Sequence, residues 1–413
     1  MTSRRDFIRK TASASLFASL ASTQTLFAAK LEKVASIPKE DFSGQYLLDP
    51  NITYFNHASI GTIPKLVHEA HISYLKLCES NPWLYTWSDP WIERKEEVRN
   101  KVAEFSGCKP NEIVLTHNTT GGMNLLASGL PLKKGDEVLY SSFNHSGARV
   151  CWEYYAKSNG YEVRKFEFKN EHWQSEEAII EAYVSQVSSK TRVVVIPHID
   201  NIIGALHPVK HLAKALREKG VQYVAIDGAQ SVGLSKVNLS DLGVDFYATS
   251  PHKWIQSPKG TGFLYIKEDV QKDVKPLIVT WGQKRWTTDI RRFEDFGTRD
   301  LPEVLSIGDA IEFQRKIDFE KSRTRRQSLK NYFKSKVESH DEVKWMSPNS
   351  YGDDVSIFAI EVTGRKANEF AKEMYEKNGF VFRPFESETR NTVRISLNIA
   401  NTTAEINRFF DLL

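Results

Sequence analysis

A lysine in a loop after a predicted strand is the residue of this chain best placed to do covalent chemistry. Lys253 lies in Ser250-Pro251-His252-Lys253-Trp254, just before the glycine-rich turn Gly260-Thr261-Gly262. Lysine is rarely buried unless it is paired or used. A desolvated lysine has a lowered pKa and becomes a nucleophile that forms imines with aldehydes. Alone this indication is weak, because most Ser-x-His-Lys strings are surface loops.

An aspartate 26 positions earlier strengthens it. Asp227 ends the run Ala225-Ile226-Asp227, and one predicted strand separates it from Lys253. Alone, an aspartate at a strand end is more often a helix cap. Together the two residues suit pyridoxal 5′-phosphate (PLP). The lysine would hold the aldehyde as a Schiff base, and the aspartate would keep the ring nitrogen protonated so that the ring accepts electrons.

The strings Asp227-Gly228-Ala229-Gln230 and Ser250-Pro251-His252-Lys253 resemble the class V aminotransferase family. The resemblance runs from about Asn56 to Leu413. It implies a fold-type I PLP architecture, in a family that includes cysteine desulfurases, selenocysteine lyases and isopenicillin N epimerases.

The resemblance also implies cofactor contacts at other positions. A threonine pair that opens a helix resembles the phosphate-binding turn, where backbone N–H groups suit a dianion, although a plain threonine cap is the alternative. A histidine resembles the one that stacks on the PLP ring, although a loop histidine is the alternative. The implied positions are Thr119 and Thr120 for phosphate, His145 for the ring face, Asn201 and Gln230 for the ring oxygen, and Ser250 and His252 for phosphate beside Lys253.

Two later motifs imply a partner subunit and a substrate group. Thr298, in Gly297-Thr298-Arg299-Asp300, resembles the phosphate contact that a dimer partner donates, so a homodimer is expected. The full Gly-Thr-Arg-Asp form looks most like the isopenicillin N epimerase branch. Arg394 resembles the arginine that binds the substrate α-carboxylate through its planar fork, and a structural salt bridge is the alternative.

Cysteine usage argues against one branch of the family. Cys78, Cys108 and Cys151 form neither a disulfide framework nor a zinc site, and no metal is expected. Desulfurases need a nucleophilic cysteine shortly before the arginine strand, whereas this chain has none after Cys151. A classical cysteine desulfurase is therefore disfavoured.

These residues predict chemistry at the α-carbon of an amino acid or peptide-like substrate. Lys253, once displaced, would act as the general base. Return of a proton to the opposite face, from His145 or His252, gives epimerisation, and return to the cofactor gives transamination. Loss of a β-substituent gives a lyase of the C–S or selenocysteine type. A non-catalytic PLP-fold binding protein is the alternative from another class, and Asp227 together with Lys253 argues against it.

Alternating strands and helices must position these residues. The order indicates an α/β fold with a mostly parallel, seven-stranded type of sheet between helices, in which ligands bind at strand ends. Gly308–Phe333 is expected to be one helix, and an α+β pattern begins near Lys344. The predicted divisions are 1–29 for an export signal, 30–310 for the large PLP-binding domain and 311–413 for a small C-terminal domain.

Composition and the N-terminal residues indicate which partners and which cellular location to expect. Of the 413 residues, 40% are hydrophobic and 26% charged, and the net charge is +4. Residues 1–29 contribute +3 of it, so the near-neutral remainder gives no reason to expect nucleic acid. Arg4 and Arg5 precede an apolar run to Ala29, which resembles a twin-arginine signal. We therefore expect the twin-arginine translocase to deliver the protein to the periplasm, membrane-tethered if the signal is not cleaved.

Overall fold

The computed structural model describes residues 25, 27–32, 34, 42–87, 89–348 and 355–413. Most of the expected export signal, residues 1–29, lies outside the described residues. Among the helices that are described, none combines the length and the apolar character that a membrane crossing requires.

A seven-stranded sheet forms the centre of the protein, in the order β2-β8-β7-β6-β5-β3-β4. Every neighbouring pair is parallel except the two that involve β8, so the predicted mostly parallel sheet is confirmed. The middle strands are almost fully buried, as expected for strands that are covered on both faces. The strands are β2 (Ile113–Thr116), β3 (Glu137–Ser141), β4 (Glu162–Phe166), β5 (Thr191–Pro197), β6 (Tyr223–Asp227), β7 (Phe246–Thr249) and β8 (Gly262–Ile266).

Helices connect and cover these strands, and two separate apolar clusters pack on the two faces of the sheet. Right-handed crossover connections require helices of this kind between parallel strands. In chain order the helices up to residue 285 are Lys65–Ser80, Leu84–Trp87, Asp89–Ser106, Thr119–Gly129, Ser146–Asn159, Glu176–Val184, Val209–Glu218 and Gly282–Arg285.

The C-terminal part forms a second, antiparallel sheet of four strands, in the order β12-β13-β10-β9. A short parallel pair, β1 with β11, ties residues near the start of the described chain to this part. These strands are β1 (Thr53–Tyr54), β9 (Val343–Trp345), β10 (Ile357–Val362), β11 (Phe380–Val381), β12 (Arg383–Ser387) and β13 (Arg390–Ser396), and the helices Ala367–Asn378 and Thr403–Phe410 accompany them.

The prediction of a single helix over Gly308–Phe333 was wrong. Two helices are present, Leu301–Ile317 and Phe319–Glu338, and the helical conformation is interrupted at Asp318. Asp318 has a φ of 73°, a conformation that ends a helix. Its side chain accepts hydrogen bonds from the N–H groups of Glu320 and Lys321, so it also caps the second helix. The expected domain boundary at 310/311 lies within the first of these helices.

Candidate active site

A cleft of about 610 Å³ opens where the parallel strands end and the C-terminal sheet begins. Strand β6 ends at Asp227, and the loop after β7 carries Lys253. Arg394, on β13, reaches the same cleft from the C-terminal sheet. The predicted residues that line it are Thr119, Thr120, His145, Asn201, Asp227, Gln230, Ser250, His252, Lys253 and Arg394.

The loop that carries Lys253 is held by close backbone packing. The N–H of Gly61 donates to the carbonyl of His252 at 3.1 Å. A Cβ on Gly61 would stand 1.9 Å from the Lys253 carbonyl oxygen, so only glycine allows this approach.

Burial lowers the pKa of Lys253 to about 8, the Asp227 carboxylate opposes that shift, and Arg394 adds to it. At pH 7 roughly a tenth of Lys253 is therefore the neutral, nucleophilic amine, far more than for a lysine with its ordinary pKa of 10.5.

This pKa predicts a pH dependence for the reactivity of Lys253 in the cofactor-free protein. Labelling of its Nζ by an amine-directed acylating reagent should rise with pH through a midpoint of about 8 rather than 10.5, because only the neutral amine reacts. Peptide mass spectrometry at a series of pH values measures it. Asp227→Asn is the control and should move the midpoint lower, since the carboxylate raises this pKa. A midpoint near 10.5 would contradict the prediction.

The start of the helix Thr119–Gly129 forms an anion site. Ser250 Oγ accepts from the N–H of Thr119 at 3.0 Å and lies 2.8 Å from its Oγ1, which joins this helix to the lysine loop. Asn118 caps the helix by accepting from Gly121 N–H at 2.8 Å. Thr120 is exposed to the cleft. Hydroxyls beside the positive end of a helix dipole suit a phosphate dianion.

Two histidines line the cleft with different ring nitrogens engaged. The Nδ1 of His145 accepts from Gly147 N–H at 3.0 Å, so the neutral ring carries its proton on Nε2. His252 instead donates from Nδ1 to the Thr261 carbonyl at 3.0 Å, which leaves Nε2 as an acceptor. Burial lowers the pKa of His145, and it lowers that of His252 to about 4. At neutral pH, His145 can therefore donate a hydrogen bond to the cleft from Nε2, whereas His252 can accept one there.

The two residues expected to contact the ring oxygen have protein partners already. Gln230 is buried, its Nε2 donates to the Ala58 carbonyl at 2.9 Å, and its Oε1 accepts from Trp254 Nε1 at 2.8 Å. The backbone carbonyl of Asn201 accepts a hydrogen bond from Arg394 Nη1 at 2.8 Å. Gln230 retains one N–H for a ligand, and Asn201 lines the cleft beside Arg394.

Arg394 is a buried cation without a carboxylate partner among the residues that the structure describes. Besides Asn201, its guanidinium donates to Asn56 Oδ1 at 2.8 Å and to Ser59 Oγ at 2.5 Å, and its Nε has no partner. Burial, and then the charge of Arg383, lowers the Arg394 pKa to about 9. The alternative of a structural salt bridge finds no support, so an anionic ligand is the partner that this geometry lacks.

These residues fit PLP. The helix start and its hydroxyls suit the phosphate, Lys253 the aldehyde, and Asp227 the ring nitrogen. Asp227 Oδ1 accepts from Ala229 N–H at 3.0 Å, which fixes the carboxylate at the strand end. Next to it, a Cβ on Gly228 would stand 1.9 Å from a ring carbon of Tyr247, so the backbone here packs directly on that ring.

Thr298 does not line this cleft. It is exposed and borders a smaller pocket with Trp281, Arg285 and Trp286. A single chain therefore does not bring Thr298 to its own Lys253, and its expected contact with a partner's phosphate stays a prediction.

The structure also adds residues that sequence reasoning passed over. Arg383 and Phe385, on β12, and Arg149 and Lys165 lie at the wall of the cleft. The run Phe382–Glu388 contains β12 and leads into β13 through a tight hairpin, so the place where desulfurases need their cysteine loop holds a short turn. Cys78, Cys108 and Cys151 are absent from the described lining of the cleft.

Comparisons with known proteins agree with this geometry. The family model described as aminotransferase class-V matches residues 53–409. Isopenicillin N epimerase of Streptomyces clavuligerus is 28% identical over 91% of this chain and 97% of its own length. A probable cysteine desulfurase of Methanothermobacter thermautotrophicus is 28% identical over 86% and 92%. Among solved structures, a C-DES variant with glycine covalently linked to its PLP cofactor superimposes with a TM-score of 0.80 at 23% identity, over 89% of this chain and 98% of that one.

Proposed function

This chain belongs to the aminotransferase class-V family, and from that premise we propose that it acts at the α-carbon of an amino-acid-derived substrate as an epimerase-like enzyme. PLP is its cofactor, and when bound it supplies an electron sink for the negative charge that develops at that carbon. The observation that carries the proposal is the buried Arg394, which lacks an anion and lies on the same cleft as Lys253.

Three residues have separate roles in the proposed reaction. Arg394, held by Asn56 and Ser59, binds and orients the substrate carboxylate. Lys253 Nζ, with its lowered pKa, takes the α-proton. His145 lines the same cleft and, in its protonated imidazolium form, is the group proposed to return a proton. Removal by one group and return by another on the opposite face is the direct route to inversion at a carbon.

Epimerisation is preferred over the other outcomes for two reasons. Isopenicillin N epimerases are among the relatives that align over nearly the full chain. The hairpin after β12 carries no cysteine to receive sulfur, which disfavours a desulfurase although relatives bear that name.

Incubation with pools of amino acids and peptides in deuterated water tests the reaction. Deuterium at Cα with inverted configuration is the result expected of an epimerase. A keto acid would indicate a transaminase, and ammonia with pyruvate would indicate a β-lyase. Absence of Cα exchange with every pool would overturn the proposal.

We also propose that the protein is a homodimer in which Thr298 contacts the partner's PLP phosphate. Trp281, which borders the same pocket as Thr298, is 55% exposed, and Val279, two residues before it, is 80% exposed. Exposed apolar side chains of this kind are what subunits cover. Thr298→Ala should then weaken retention of PLP by about 10-fold, since a hydrogen bond to a charged group contributes about 1.5 kcal/mol. Equilibrium dialysis measures retention, and light scattering should give twice the 47.2 kDa of one chain. A monomer that retains PLP equally well in both forms would refute the proposal.

For location, we propose export by the twin-arginine pathway. Arg4 and Arg5 before an apolar run support it, and that pathway carries proteins already folded around a cofactor. A variant with Arg4→Lys and Arg5→Lys should remain in the cytoplasm, and periplasmic delivery equal to the wild type would count against the signal.

A further inference from the structure

Two arginines stand directly opposite each other at the wall of the cleft. In the antiparallel register of β12 and β13, Arg383 pairs with Arg394, and both line the cleft. The ring of Phe385 lies 5.8 Å from one guanidinium carbon and 5.6 Å from the other. Like charges opposite each other destabilise a sheet, so this pairing costs stability unless an anion lies nearby.

The protein supplies no ion-paired anion to these two arginines, although the buried Asp200 is near enough to raise the Arg394 pKa. Other basic side chains of the cleft wall have acidic partners: Arg149 with Glu153 at 2.6 Å and Lys165 with Glu167 at 2.9 Å. Within the described part of the chain, neither arginine of the opposed pair has an ion pair. Of the described residues that line the cleft, Asp227 is the sole carboxylate, and it would pair with the PLP ring nitrogen.

One substrate carboxylate does not account for both arginines. Arg394 is buried, and its guanidinium donates to Asn56 and Ser59, which hold it in place for the α-carboxylate. Arg383 is exposed at the cleft mouth, and it is near enough to lower the pKa of both His145 and Arg394. A positive charge at this place favours a substrate that brings a second negative charge to the mouth of the site.

We propose that Arg383 selects substrates with a second acidic group, so that the substrate class is amino acids with an anionic side chain. This rests on the proposed function, because it assigns the α-carboxylate to Arg394. Arg383 is then a specificity residue, and it is not required for proton transfer at the α-carbon.

The test compares isosteric substrates on the PLP-loaded enzyme. In deuterated water, kcat/KM for α-proton exchange should be about 10-fold higher with L-glutamate than with L-glutamine, as a charge-assisted hydrogen bond at a partly exposed site allows. Arg383→Gln should remove this preference by lowering the glutamate value, Arg383→Lys should keep most of it, and Arg390→Gln, a neighbouring arginine outside the described cleft lining, should leave it unchanged. Equal values for both substrates in the wild type, or a preference that survives Arg383→Gln, would overturn the inference.

Calorimetric binding gives a readout that does not depend on turnover. The PLP-loaded wild type should bind glutarate about 10-fold more tightly than valerate, and Arg383→Gln should bind the two equally. If no amino acid exchanges its α-proton but glutarate is still preferred through Arg383, the proposed function fails and the second anion site stands. If exchange occurs and glutarate has no advantage in the wild type, the second anion site fails and the proposed function stands.

Discussion

Replacing Lys253 with alanine should remove the visible absorbance of the purified protein and lower α-proton exchange by about 10⁴-fold, the upper end of what one positioned general base contributes. Two losses combine in this variant. The Schiff base to the PLP aldehyde cannot form, and the amine that takes the α-proton is gone. Absorbance spectra after PLP reconstitution and exchange in deuterated water measure the two losses separately.

Lys259→Ala is the matched control, because Lys259 lies on the same loop, six residues further on, and outside the described lining of the cleft. Burial also lowers its pKa, so a general effect of removing a lysine from this loop would appear in it too. The control should keep both absorbance and exchange. Full absorbance in Lys253→Ala, or its loss in Lys259→Ala, would place the cofactor on another residue.

The buried strands are predictable from sequence because their central side chains are mostly apolar. The run Val193-Val194-Val195-Ile196 is typical of a strand buried on both faces, and it lies in β5, Thr191–Pro197. Strand β4 is harder to predict because Glu162–Phe166 is an edge strand with a single buried residue, so its polar pattern resembles a loop. Asp318 was missed because one aspartate inside a helical pattern does not show that its φ is positive.

The site was predictable where one segment carries its own motif. Lys253, Asp227 and the threonine pair each stand beside glycine or at a predicted strand end, and the fold brings them to one cleft. Arg383 was not predictable, because its importance comes from standing opposite Arg394, and cross-strand register follows from the hairpin between β12 and β13. The hydrogen bonds that occupy Gln230 could not be foreseen either, since Ala58 and Trp254 are distant in sequence.

Arg394→Lys should lower kcat/KM by about 30- to 5,000-fold, equivalent to about 2–5 kcal/mol, the range for breaking a buried, hydrogen-bonded charge contact. Lysine keeps the positive charge but loses the planar fork that fits a carboxylate. It also cannot make the three bonds that Arg394 donates to Asn56, Ser59 and Asn201. The PLP absorbance should persist, because Arg394 acts on the substrate and not on the cofactor.

The distribution of this loss between KM and kcat distinguishes binding from orientation. If Arg394 only binds the carboxylate, KM rises and kcat is unchanged. We expect kcat to fall as well, because a carboxylate that rotates away from Arg394 takes the α-hydrogen away from Lys253. Arg390→Lys, on the same strand but outside the described cleft lining, should leave both constants unchanged. Unchanged kcat/KM in Arg394→Lys would mean that the carboxylate binds elsewhere. Full activity of the wild type on substrates whose α-carboxylate is replaced by an amide would mean that no carboxylate is recognised at all.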